Sequence, residues 1–119
     1  MRKNSPLRDN SYHFAIQIVE LVSQLQNLKE FVLRRQILKS GTALGALIRE
    51  AEFAQSKADF IHKMSIALKE ANETDYWLNL LFDSGYIVQN KFDDLIKQCS
   101  ELIAMLISTV KTTKASLRS

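Results

Sequence analysis

The sequence predicts an all-α protein, an up-down-up-down antiparallel four-helix bundle in a single domain spanning residues 1–119. Three observations carry that prediction. One proline and three glycines leave long stretches without a helix breaker. Apolar side chains recur at three- and four-residue spacing along four such stretches. No run of useful length alternates apolar and polar residues, as a half-buried strand would.

The first helix is predicted over about 6–27. It starts either at Ser5-Pro6, with Ser as N-cap and Pro at the first helical position, or at Ser11. Its stripe is Phe14, Ile18, Leu21, Leu25 and Leu28, the seam of a helical bundle. Tyr12, Ile16 and Val19 form a smaller patch to one side. Asn27 and Glu30 fit a capping box, so a short break leads into a second, antiparallel helix over about 30–55. Leu33, Ile37, Leu44, Ile48 and Ala51 are its buried stripe. Gly41 and Gly45 each cost about 1 kcal/mol relative to Ala in a helix interior, which predicts close approach of another helix there.

The third helix is predicted over about 57–83, with Ser56 as cap, Asp59 in the first turn and Asp83-Ser84-Gly85 as the stop. It has two apolar faces. Phe60, Met64, Ala67, Ala71, Leu78 and Phe82 make one stripe; Ile66, Trp77 and Leu80, with Tyr76 at the edge and Leu81 close by, lie on nearly the opposite side. An outer helix of a monomeric bundle needs one stripe. A second face calls for a second partner, most simply another copy of the chain. Ile66, Glu73, Tyr76, Trp77 and Leu80 are therefore the candidate homo-oligomer interface, with Glu73 placed to pair with an Arg or Lys across it. The fourth helix is predicted over about 91–113, capped by Asn90, with Phe92, Ile96, Cys99, Ile103, Leu106 and Val110 as its seam. A basic tail, 111–119, is expected to fray.

A chain of this length buries roughly two thirds of its unfolded surface and needs no disulfide or metal to fold. The single Cys99 lies in an apolar helical pattern and reads as a buried structural thiol. The polar N-terminus and the absence of an apolar run of about 18 residues predict a cytoplasmic protein without a membrane span. The net charge of +3 is unevenly placed: 8 Lys/Arg against 3 Asp/Glu in residues 1–49, 5 against 10 in residues 50–101, and 3 against none beyond. Such separation points to an anionic polymer or to another copy of the chain as partner.

Arg35, Lys39 and Arg49 fall within an arc of about 80° on the second helix, opposite its buried stripe. Phe31 and Leu38 interrupt this ridge. Lys29 and Arg34 lie near it in sequence, and Lys111 and Lys114 belong to the basic tail. These seven cations are the candidate contact for RNA or DNA, by salt-sensitive phosphate binding. Trp77 and Tyr76 read as interface residues rather than base-stacking platforms, because the carboxylates on their face repel phosphate.

Catalytic readings find little support. Glu50, Glu70 and Glu73 invite a carboxylate di-metal centre, which needs two Glu-x-x-His pairs; the chain has none, its only histidines being His13 and His62. Arg8 and His13 have the spacing of a metal-independent ribonuclease motif, but at the first helix rather than late in the chain. There is no Gly-rich phosphate loop, Ser-His-Asp set or paired-Cys motif. No enzyme activity, cofactor or metal is predicted.

The run from Gln36 to Ala51, followed by Ser56, Asp59-Phe60, Ile66-Ala67, Glu70, Glu73-Thr74, Trp77-Leu78 and Gly85-Tyr86-Ile87, resembles the bacterial four-helix-bundle proteins encoded within intervening sequences of 23S ribosomal RNA genes. Where that pattern has Asn, this chain has Leu47. The resemblance spans about residues 10 to 113 and implies a bundle that assembles as a ring-shaped homopentamer. The chain is also similar to the accessory proteins of diversity-generating retroelements, which associate with a reverse transcriptase and nucleic acid. Two functions follow as expectations: a nucleic-acid-binding oligomer, or a scaffold for a larger enzyme such as a reverse transcriptase.

Overall fold

The computed structural model describes residues 5–25 and 31–118. It contains α1 (Pro6–Gln24), α2 (Phe31–Ala51), α3 (Lys57–Asp83) and α4 (Gln89–Arg118). Consecutive helices run antiparallel. Ile18 and Ser11 meet Gly41 and Gly45, Ser40 meets Thr74, and Phe82 stacks on Phe92 while Lys57 reaches Ser116. α1 also packs on α4, whereas α2 and α4 occupy opposite corners with no close backbone approach among the described residues.

Local chemistry sets most helix ends. Of the two starts open to α1, the structure takes Ser5, whose hydroxyl accepts from the Arg8 N–H at 3.3 Å, with Pro6 at the first helical position. Ser56 caps α3 by accepting from the Asp59 N–H at 3.0 Å, and Asp59 accepts in return from the Gln55 N–H. α3 stops in a Schellman motif. Gly85 sits at φ 84°, its N–H donates to the Phe82 carbonyl, and the Tyr86 N–H donates to the Leu81 carbonyl. The left-handed φ is why glycine stands there.

Four predicted boundaries move. α1 ends at Gln24, short of the predicted residue 27, with Leu25 as its C-cap and the Leu25 N–H shared between the Leu21 and Val22 carbonyls. α2 ends at Ala51, where the N–H groups of Glu52, Phe53 and Ala54 each bond three residues back and tighten the chain into a turn. α4 begins at Gln89, so Asn90 is inside the helix and not its cap. The segment from Lys111, expected to fray, is helical through Arg118. It contains no Gly or Pro, Thr113 donates back to the Thr109 carbonyl, and Lys57 on α3 holds Ser116. The capping box at Asn27 and Glu30, and Leu28 of the first stripe, lie outside the described residues.

The core is one cluster along the bundle axis, drawing Phe14, Ile18 and Leu21 from α1, Ile37, Leu44 and Ile48 from α2, Met64, Ala67, Ala71 and Leu78 from α3. Leu95 and Leu102 of α4 are also buried, beyond the predicted seam, because α4 packs against both α3 and α1 and hides a wide arc. Leu81, read from sequence beside Trp77, is 1 % exposed and belongs to the core. The close approach expected of the glycines is present. A Cβ on Gly41 would stand 2.9 Å from Ile18 side-chain atoms, and one on Gly45 would stand 3.3 Å from the Ser11 carbonyl oxygen.

Candidate nucleic-acid interface

α2 presents its outer face to solvent between α1 and α3, and this face carries the cations. Arg35, Lys39 and Arg49 are all exposed, and none forms an ion pair with a described residue. Arg34 is half-buried, and its guanidinium lies 4.8 Å from the centre of the Phe31 ring. At the other end of the ridge, Arg49 lies 5.3 Å from the centre of the Tyr12 ring on α1. Each stacked pair contributes about 0.5–1 kcal/mol at such exposed sites. The Gly45 contact draws α1 down onto α2 beside Ser11, and so brings Tyr12 within reach of Arg49.

The predicted set does not come together as one surface. Lys111 and Lys114 are exposed on α4, the helix diagonally opposite α2, and so lie away from the ridge. Lys29 lies outside the described residues. Ordered surface charge close to the ridge comes instead with two aromatic rings, Tyr12 and Phe31, which the sequence offered only as part of a side patch and as an interruption. The available signal was the Phe31–Arg34 spacing of three residues, which places both on one helix face.

The α3 candidates also separate. Ile66, Glu73, Trp77 and Leu80 are half-buried, on the flank of α3 nearer α2, while Tyr76 is 59 % exposed on the outward face. Tyr76 and Trp77 meet edge to face with ring centres 4.9 Å apart. The Trp77 indole N–H is buried with no acceptor among the described residues. Arg8, which shares with His13 only the spacing of a ribonuclease motif, is buried and engaged with Asp9 at 3.2 Å and Glu52 at 3.7 Å, while His13 is exposed. Asp59 is committed to capping α3.

The profile of one known family, the 23S rRNA-intervening sequence proteins, matches residues 3–108. The chain belongs to that family. A crystal structure of a protein of unknown function from the S23 ribosomal protein family of Bacteroides thetaiotaomicron is 52 % identical and superposes with a TM-score of 0.86, covering 88 % of this chain and 98 % of that one. No curated protein matches the chain. Leu47, half-buried, packs against the core at the position where the family pattern it resembles has Asn. An apolar methyl-bearing side chain there replaces any polar contact an amide would make.

The family member also has a larger concavity, about 870 Å³, at the end of the bundle where α1 and α3 begin. Its floor is Ile48, Phe60 and Met64. Part of its polar rim is committed: Ser5 and Ser56 accept capping hydrogen bonds, Thr109 and Thr113 donate to carbonyls of their own helix, and Lys57 donates to Ser116, while the buried Glu52 Oε1 has no hydrogen-bond partner among the described residues. Among the described residues no helix is long and apolar enough to cross a membrane.

Proposed function

We propose that this protein is a non-enzymatic homo-oligomer that binds RNA or other nucleic acid through the outer face of α2. The observation that carries the reading is the set of Arg35, Lys39 and Arg49, exposed, unpaired among the described residues and confined to one helix face. Cations held without carboxylate partners leave their charge available to phosphate, and each contact releases a counterion. Repetition around an oligomer multiplies the ridge. The pentameric ring is the assembly implied by the resemblance, and the half-buried flank of Ile66, Glu73, Trp77 and Leu80, with Tyr76, is its proposed contact.

A second reading is a protein-interaction scaffold or accessory subunit, for example for a reverse transcriptase, with little nucleic-acid affinity of its own. Ile16 and Val19, exposed on α1 in line with Tyr12, favour it, since adjacent exposed apolar side chains mark protein contacts. Binding of a labelled structured RNA at two salt concentrations, with solution mass recorded in the same buffers, separates the two. Tight binding by an oligomer that collapses as salt rises supports the phosphate-tracking ridge. An oligomer with no RNA affinity at low salt sinks it and leaves the scaffold.

A further inference from the structure

We infer that the α2 face takes single-stranded nucleic acid in preference to duplex, with bases stacking on Tyr12 and Phe31 at the two ends of the cationic ridge. The inference rests on the nucleic-acid reading above and assigns it a substrate class. A ridge of cations alone tracks phosphates and is indifferent to strandedness. This ridge is bracketed by rings. Tyr12 is 56 % exposed and Phe31 59 % exposed, and each has an arginine guanidinium against it, Arg49 at 5.3 Å and Arg34 at 4.8 Å from the ring centre. More than half of each side chain is solvent-accessible although a guanidinium lies against its ring, which leaves surface for a further partner. An unpaired base placed there completes a base–aromatic–guanidinium stack, while Arg35 and Lys39 between the two ends meet the backbone.

The dimensions fit. From Phe31 to Arg49 the helix advances roughly 27 Å at 1.5 Å per residue. At 3.4 Å per stacked nucleotide that is about eight nucleotides. Bases inside a duplex have both faces covered by their neighbours and cannot use either ring.

The two rings sit on different helices, and their alignment depends on the α1–α2 approach at Gly41 and Gly45. Both are solvent-exposed, so shortening them leaves the core untouched.

The test is fluorescence anisotropy with a labelled 12-nucleotide oligo-U and a 12-base-pair RNA duplex, on wild type, Tyr12→Ala, Phe31→Ala and Tyr12→Phe, with circular dichroism and solution mass for each. Wild type is expected to bind the single strand at least fivefold tighter at equal salt. Tyr12→Ala and Phe31→Ala are each expected to lose about tenfold on the single strand, with the salt slope and duplex affinity unchanged, and Tyr12→Phe to retain wild-type binding. Equal affinity for both probes, or alanine variants that bind oligo-U normally, overturns the stacking site while salt-sensitive binding would keep the ridge. A Tyr12→Ala protein of altered solution mass overturns it too, since Tyr12 would then be a subunit contact. No binding of either probe at low salt overturns the ridge and the stacking site together.

Discussion

The two halves of the bundle use the same helical period for opposite purposes. In α1 and α2 the backbones approach over glycine, at Gly41 against Ile18 and Gly45 against Ser11, and the charge is carried outward on Arg35, Lys39 and Arg49. In α3 and α4 the seam is filled by side chains, with Phe82 stacked on Phe92 at 4.2 Å between ring centres and the Cys99 thiol donating to the Ala71 carbonyl. The net charge follows the division: residues 1–49 carry an excess of five cations, and residues 50–101 an excess of five carboxylates. Close backbone packing costs helix propensity but frees a whole face for contacts outside the bundle. Side-chain packing spends that face on the core.

Charge reversal of the first half should produce the largest effect. Replacing Arg35, Lys39 and Arg49 with Glu is expected to lower affinity for single-stranded RNA by at least 100-fold at low salt. It should also reduce the log–log salt slope by about 2, from three phosphate contacts at about 0.7 each. Thermal unfolding should shift little, because none of the three makes an ion pair with a described residue and the Arg49–Tyr12 stack contributes only about 0.5–1 kcal/mol. If affinity survives, the cations of α2 are a solvated face and the division of labour fails.

The corresponding cut in the second half is Trp77→Ala, expected to cost about 3 kcal/mol in urea unfolding, at the lower end of large aromatic truncations because the side chain is only half-buried. Sizing should show smaller species. A full-size oligomer would mean that the α3 flank is part of the subunit and not the contact between subunits. Trp77→Phe is the sharper variant. It removes an indole N–H that has no acceptor among the described residues, and should therefore be far milder than alanine.

The ends at Ser5, Ser56 and Gly85 and the apolar stripes were legible in the sequence because each depends on residues within four positions of one another, whereas Asn90, also read as a cap, lies inside α4. Ser56 and Asp59, or Asp83-Ser84-Gly85, carry their own instructions. Leu81 was misplaced because a helical wheel reports angle alone. It lies about 40° from Trp77 on that wheel, yet it falls just inside the covered arc of a helix packed on both sides. The candidate site suffered more. Tyr12 and Arg49 are 37 positions apart and meet only because two glycines bring α1 onto α2. Lys111 and Lys114, basic and plausible by composition, fall on the diagonally opposite helix, a relation no local pattern encodes.

Gly41→Ala probes that approach directly. Its Cβ would come within 2.9 Å of two atoms of Ile18, a buried β-branched side chain with few alternative rotamers. Overpacking of about 1–3 kcal/mol then outweighs the roughly 1 kcal/mol gained in helix propensity, so a net loss of up to about 2 kcal/mol is expected.

In the second half, Cys99 reports how tightly the α3–α4 seam is closed. Burial, and secondarily the Asp75 carboxylate, push its thiol up from 9.0 to about 12. The unfolded chain therefore releases this proton near pH 9 while the folded protein holds it until about pH 12. Stability from the neutral thiol is complete below pH 9 and falls between those values, by about 1.4 kcal/mol per pH unit. The stability gap between wild type and Cys99→Ala should narrow by about 1 kcal/mol from pH 9 to pH 10, the unfolded thiol being already half ionised at pH 9. A constant gap would mean that the seam opens enough to let the thiolate form.

Gly45→Ala should have the smallest effect, and its contrast with Gly41→Ala is informative. The new Cβ would meet the Ser11 carbonyl oxygen at 3.3 Å, a contact relieved by a shift of a few tenths of an ångström in α1. The roughly 1 kcal/mol gain in helix propensity offsets most of that strain, giving a net change within about 0.5 kcal/mol. If Gly45→Ala unfolds as readily as Gly41→Ala, α1 is fixed on α2 by backbone contact as rigidly as by the Ile18 side chain. If it is neutral but weakens single-strand binding, the close approach serves the surface rather than the core, since the displacement falls next to Tyr12 and leaves the buried cluster in place.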